Sequence, residues 1–183
     1  MFYPNKLEQM SRPTLRLKLV FVLCFTLVST NLKGLPSDSE QPIHIKADSA
    51  EMDQGQGTAH YFGEVRLDRG TLRVDADRMT IKLNDNDQLT QLTAHGGPDG
   101  KQAHFQQKVE IDKPDVVAYA DTIIYFADKD KIELRGNAQL TQDGNELRGE
   151  LILYDVTLGK VDASARPGGK IDIIFQPSAI KLP

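Results

Sequence analysis

The chain repeats itself at a fixed distance, and that repeat constrains its fold more than any single motif. The string GEVRL begins at Gly63 and its counterpart GNAQL begins at Gly136. The dipeptide Ala-Asp stands at Ala47 and Asp48, at Ala76 and Asp77, and at Ala120 and Asp121, with a near-echo at Gly149 and Glu150. Asp48 is as far from Asp121, and Asp77 as far from Glu150, as Gly63 is from Gly136. Two units are therefore followed, at one constant offset, by two units of the same kind. A fixed internal period is the signature of a stacked, duplicated architecture, because one unit alone cannot bury its apolar face. Residues 118–140, AYADTIIYFADKDKIELRGNAQL, read as two strands and a charged turn. Ile123 and Tyr125 alternate with Ile124 and Phe126, the run ADKDK breaks the pattern, and Ile132, Leu134, Gly136, Ala138 and Leu140 then recur at the strand period of two.

The rest of residues 37–183 follows the same rule. Short alternating runs surround Ile43 and Ile45, Val65 and Leu67, Leu72 to Ala76, Met79 to Leu83, Leu89 to Ala94, Leu147 to Leu153, Val161 to Ala165 and Ile171 to Phe175. Turn residues separate them: QGQG after Asp53, Arg69 and Gly70, NDND from Asn84, and Asp143 and Gly144. The strongest breaker, HGGPDG from His95, is expected between the two halves of the repeat. No run of ten or more residues there carries a helical stripe. Glycines inside strand patterns, Gly63, Gly136 and Gly149, predict bulges or close backbone approach at corners. The expectation is an all-β chain, a sandwich, roll or solenoid, read as an antiparallel meander folded over on itself. One apolar row faces inward: Ile43, Ile45, Leu67, Val74, Met79, Ile81, Phe105, Tyr125, Leu134, Leu151 and Phe175. By spacing alone these residues are simply core.

Residues 1–36 differ from the remainder. Lys6, Arg12, Arg16 and Lys18 precede the apolar run LVFVLCFTLV, a basic start and a run of about ten residues that fits a secretory signal peptide. The run is short for a membrane span, which needs roughly 20 residues. No A-x-A box marks the cleavage site, which is expected between about residues 30 and 36, leaving 37–183 as a single domain. An uncleaved anchor is the alternative, and either form exports the body. The one cysteine, Cys24, lies in this run behind Leu23, which does not fit a lipoprotein box, so the exported body has neither disulfide nor thiolate site. Residues 1–36 hold five Lys/Arg and one Asp/Glu; with −4 for the whole chain, the body carries −8. An acidic body argues against nucleic acid and against an anionic membrane surface.

Sites of chemistry are sparse. His44, His60, His95 and His104 show no metal-ligand spacing and no HExxH, so neither metal nor cofactor is expected. A pair of the repeated acids Asp48, Asp77, Asp121 and Glu150 could serve glycoside hydrolysis. Four acids at one place in four units are better explained by the repeat, as polar residues at solvent-facing strand positions. No GxSxG elbow and no phosphate-binding glycine pattern occurs, and no catalytic residue is expected.

The strings QPIHIKADSAEMD, YFGEVRL, GTLRVDADRMTI, FQQ, ADTIIYF and RGNAQL, in this order and spacing, resemble the LptA/OstA-like family of Gram-negative periplasmic lipopolysaccharide transport proteins. The resemblance covers residues 41–177, about the whole exported body. It implies a twisted antiparallel β-jelly roll and a non-enzymatic carrier. Such a carrier binds lipopolysaccharide and joins end to end with itself, meeting an LptC-like inner-membrane protein and an LptD-like outer-membrane protein at its two ends. It turns the inward row into a lipid-binding row, and makes Ile43, His44 and Ile45, with Ile171, Ile173 and Phe175, the expected edges for self-assembly and partners. Lipopolysaccharide carries phosphates, so the −8 body points to its acyl chains as the part held. An LptC-like anchored subunit and a structural filament without lipid are the alternatives.

Overall fold

The computed structural model describes residues 38–109 and 113–177. The expected signal segment lies outside the described residues. Among the described residues twelve strands follow one another: β1 (His44–Lys46), β2 (Ser49–Asp53), β3 (Thr58–Arg69), β4 (Leu72–Leu83), β5 (Leu89–His95), β6 (Ala103–Gln107), β7 (Val116–Ala120), β8 (Thr122–Phe126), β9 (Lys131–Gln142), β10 (Asn145–Asp155), β11 (Lys160–Ser164) and β12 (Asp172–Ile174). All pairings are antiparallel. The sheet is folded over on itself, as the sequence pattern predicts, in the jelly-roll-like arrangement that the resemblance implies.

The fold-over has a simple plan. The four long strands β3, β4, β9 and β10 each pair with one set of neighbours along their first half and another along their second. One layer runs β1-β3-β4-β6-β7-β9-β10-β12 and the other β2-β3-β4-β5-β8-β9-β10-β11. Both layers turn one face inward, and their apolar side chains form one cluster that includes Val65, Val74, Phe105, Ala118, Ile123, Leu134 and Ile152. Phe105 of the first layer meets Tyr125 of the second with ring centroids 5.7 Å apart.

The duplication is visible strand by strand. Moving β2 and β3 forward by the Gly63-to-Gly136 offset lands on β8 and β9, with β1 falling in β7 and β4 on β10. The units are therefore β1–β6 and β7–β12. HGGPDG is a crossover from β5 to β6 within the first unit rather than the boundary between units, because β6 pairs with β4. Residues 118–140 likewise hold three strands rather than two: the end of β7, all of β8 and most of β9, with the break at Asp121.

The crease between layers is where the repeat motif sits. In β3 the register shifts between Phe62 and Val65, with Gly63 at φ +77° and Glu64 at φ 41°. In β9 the same positions, Gly136 and Asn137, take φ +76° and 45°. Asp48 and Asp121 fit beneath these glycines: their backbone N–H groups donate to Phe62 O at 3.0 Å and to Gly136 O at 2.9 Å, and a Cβ on either glycine would run into the aspartate side chain. Asn137 Nδ2 also donates to Asp121 Oδ2 at 2.9 Å. So Asp48 and Asp121 are exposed, as the repeat suggests, but as corner residues between strands rather than strand positions. The third glycine, Gly149, also marks a register shift, between Gly149 and Leu151.

That shift corrects one phase. The alternation predicts Leu151 inward with Leu153, but the extra residue turns β10 over. Ile152 and Tyr154 are buried, while Leu153 is 42% exposed and Leu151 stands opposite Arg135 on the outer face. The repeat itself points to this: Met79 and Ile81, inward in β4, are the counterparts of Ile152 and Tyr154.

Candidate functional site

The candidate site is the space between the layers. Among the described residues no polar or charged residue is buried, and no buried side-chain nitrogen or oxygen lacks a partner. Such an interior offers apolar contact, with the phenols of Tyr125 and Tyr154 as its polar points. Leu67, Val74, Met79, Ile81, Phe105, Tyr125 and Leu134 of the expected row are all buried there, and Ile43 and Ile45 are partly buried against them. Burial pushes the Tyr125 phenol up to about 12, with the negative charge of Asp130 adding to it.

The row changes character at its ends. β1 and β2 are the first strands of the two layers and β11 and β12 the last, so among the described residues each has one unpaired edge. Met52 pairs with Ala59, and Val161 with Tyr154, so both point inward, yet Met52 is 68% exposed. Ile173 stands opposite Leu147 on the inner face of the first layer and is 46% exposed. Phe175, expected in the buried row, is 74% exposed just past β12, since no further described strand covers it. With Leu140, Leu147, Val161 and Ile173 it lines a depression of ≈ 380 Å³. The edges expected at Ile43, His44 and Ile45 and at Ile171, Ile173 and Phe175 thus belong to one layer. The edges of the other, β2 and β11, escape the sequence reading, although the alternation of Ala50 with Met52 and of Val161 with Ala163 carries the signal.

The layers are joined on one side only. The connections β1–β2, β5–β6, β7–β8 and β11–β12 all lie at the crease, while the opposite rim has turns that stay within one layer. At that rim the Asp38 carboxylate accepts from Thr71 N at 2.7 Å, Thr71 Oγ1 at 2.8 Å and Gln107 Nε2 at 2.7 Å, pinning the segment that leads into β1. Separating the rims therefore breaks no strand ladder.

The outer face is polar and paired. Arg66 and Asp75 meet at 2.6 Å, and Arg73 and Asp68 at 2.9 Å across β3 and β4. Burial raises the Asp75 carboxyl, but hydrogen bonds from Arg66 and His104 outweigh it and hold it below the ordinary value. His95, at the crease, is lowered by burial and by the charge of Arg78. His104 Nδ1 lies 3.2 Å from Asp75, and His60 and His95 contact Thr80 and Thr122, so the histidines are spread over the sheet. Among the described residues no group of three or more His, Cys, Asp or Glu could hold a metal ion, and no helix is long and apolar enough to cross a membrane.

Residues 44–160 match the family described as "LptA/(LptD N-terminal domain) LPS transport protein". The lipopolysaccharide export system protein LptH of Pseudomonas aeruginosa is 37% identical over 168 residues, covering 88% of this chain and 94% of that protein. The lipopolysaccharide export system protein LptA of Escherichia coli K12 is 28% identical over 170 residues, covering 92% and 90%. A crystal structure of LptH, the LptA-homologous periplasmic component of the lipopolysaccharide transport device of Pseudomonas aeruginosa, superposes with a TM-score of 0.69 at 36% identity. It covers 78% of this chain and all of that one.

Proposed function

The chain belongs to the LptA/(LptD N-terminal domain) lipopolysaccharide transport protein family, and from that premise we propose that it is a periplasmic carrier and bridge. It holds lipopolysaccharide by its acyl chains between the two layers and passes it from the inner to the outer membrane through copies joined head to tail. The observation that carries the reading is the interior free of buried charge, lined almost throughout by apolar side chains, that reaches exposed side chains at both ends, Met52 at one and Ile173 and Phe175 at the other. Burying one CH₂ is worth about 0.8 kcal/mol, so releasing several acyl chains into water costs on the order of tens of kcal/mol. A lipid of this kind is best handed from one apolar surface to the next.

The interior is packed, so acyl chains enter by parting the rims. Because the rims share no strand ladder, the cost is apolar contact, which the incoming chains replace in kind, together with the side-chain hydrogen bond between Tyr125 and Gln107 that crosses from one layer to the other. The body's −8 charge is consistent with a grip on the chains rather than on the phosphates. At its two ends the bridge meets an LptC-like inner-membrane protein and an LptD-like outer-membrane protein, and residues 1–36 direct export. Photoreactive side chains test the reading. At Ile45 and Phe105 they should capture lipopolysaccharide, and at Lys46, on the outer face beside Ile45, they should not. Equal capture at all three positions would remove the interior as the lipid path.

A further inference from the structure

The joint between the two units inside this chain is a template for the joint between copies, and the geometry points to a residue-by-residue register for it. The inference rests on the head-to-tail reading above and deepens it. Inside the chain, unit one meets unit two through β6 against β7 in one layer and β5 against β8 in the other. By the duplication, β1 and β2 of a second copy stand where β7 and β8 do, since Ile45 corresponds to Ala118 and Met52 to Tyr125 at the repeat offset. Likewise β12 and β11 stand where β6 and β5 do. Val74 faces Phe105, and its equivalent Leu147 faces Ile173, so Ile173 takes the place of Phe105. Ile81 faces Leu92, and its equivalent Tyr154 faces Val161, so Val161 takes the place of Leu92.

The internal pairs then convert directly. Phe105 with Ala118 becomes Ile173 with Ile45 of the next copy, and Gln107 with Val116 becomes Phe175 with Ile43. Leu92 with Tyr125 becomes Val161 with Met52, and Ala94 with Ile123 becomes Ala163 with Ala50. Every one of these inward pairs between copies is apolar on both sides, and the register covers Met52, Val161, Ile173 and Phe175, four of the exposed large apolar side chains. On the outer face His104, stacked on Tyr119 at 4.9 Å, becomes Asp172 opposite Lys46, and Gln91 with Phe126 becomes Lys160 opposite Asp53. In the second layer Thr93 with Ile124 becomes Asp162 opposite Glu51, like charges beside Lys160, which holds Asp162 at 2.8 Å, while the two pairs just named bring opposite charges together, one in each layer. A slip of one residue would turn the apolar rows outward and separate these charges. The occupant of the open end is therefore a second copy of this chain, in this register.

Charge exchange at Asp172 and Lys46 tests it, because both lie on the outer face, opposite Arg148 and Arg66 of their own copy. Sedimentation of the purified protein over a range of concentrations should show wild type associating. Asp172→Lys and Lys46→Asp should each associate about tenfold more weakly, since each sets like charges opposite one another. The double variant should recover, because every joint then pairs the exchanged signs. A double variant as weak as the singles, with wild type still associating, overturns the register and leaves head-to-tail assembly standing. Wild type that never associates overturns both. Disulfides give a second readout. In a Cys24→Ser background, Ile45→Cys with Ile173→Cys should oxidise to a ladder of linked copies, and Ile45→Cys with Ile171→Cys, out of register just before β12, should not. Equal ladders would also overturn the register.

Discussion

The middle of this sheet and its two ends are built from equivalent residues with opposite fates. Val116, Ala118, Ile123 and Tyr125 are buried where the units meet, while their counterparts one repeat earlier, Ile43, Ile45, Ala50 and Met52, are exposed or half-buried on the first edge. On the other side Leu92, Ala94, Ala103 and Phe105 are buried, and their counterparts Val161, Ala163, Ile171 and Ile173 are exposed or half-buried. The side chains at both places are apolar and point the same way, so the difference is the neighbour and not the chemistry. In the middle the row serves stability. At the ends the same row lacks that neighbour, and on the proposed function it is left for association and lipid.

Substitutions should separate these roles, and the largest effect belongs in the middle. Phe105→Ala removes a fully buried ring at the inner joint and should cost about 3–5 kcal/mol in denaturant unfolding. Phe175→Ala, at an exposed position, should leave unfolding within about 0.5 kcal/mol of wild type while weakening association. Equal destabilisation by the two would erase the distinction between middle and end. Next comes the phase of β10: Ile152→Ala should cost about 2–5 kcal/mol, and Leu151→Ala, on the outer face, under about 1 kcal/mol. A reversed order would put Leu151 back in the core.

Smaller effects test how the layers are held. Tyr125 ionises at about 12 in the folded chain, against an ordinary value of 10.0. The folded state then holds its proton where the unfolded state has lost it. Stability is fully present below about pH 10 and falls by about 2–3 kcal/mol as pH rises toward about 12. Tyr125→Phe should remove that part of the alkaline loss, and an unchanged alkaline slope would deny that the phenol is dry. Gly136→Ala places a methyl group against Asp121 at positive φ and should cost about 2 kcal/mol. Gly63→Ala, against Asp48, should cost a similar amount, because both units build the crease alike.

These distinctions are only partly legible in the sequence. Period-two alternation marks the strands, and the offset from Gly63 to Gly136 marks the duplicated plan, because both are local or self-referential signals. What alternation cannot carry is a change of phase. β10 turns over at Gly149, so counting onward from Leu147 leads to Leu151 and Leu153, although the β4 counterparts Met79 and Ile81 already show the turn. The role of Asp48 and Asp121 is hidden for another reason. Their partners Gly63 and Gly136 lie in later strands, beyond a full hairpin, and only the corner brings them together. The second pair of edges, β2 and β11, becomes visible only once the sheet is known to be folded, since it then ends twice on each side.

The central claim, that the inner face and not exposed apolar surface in general is the lipid path, is tested most directly on two neighbouring isoleucines. Ile173 and Ile174 are 46% and 44% exposed, but Ile173 pairs with Leu147 on the inner face and Ile174 with Glu146 on the outer. A photoreactive residue placed at each in turn, with lipopolysaccharide capture read at equal protein concentration, holds exposure nearly constant and changes only the face. Strong capture at Ile173 with little at Ile174 is the predicted result; equal capture at both would contradict it.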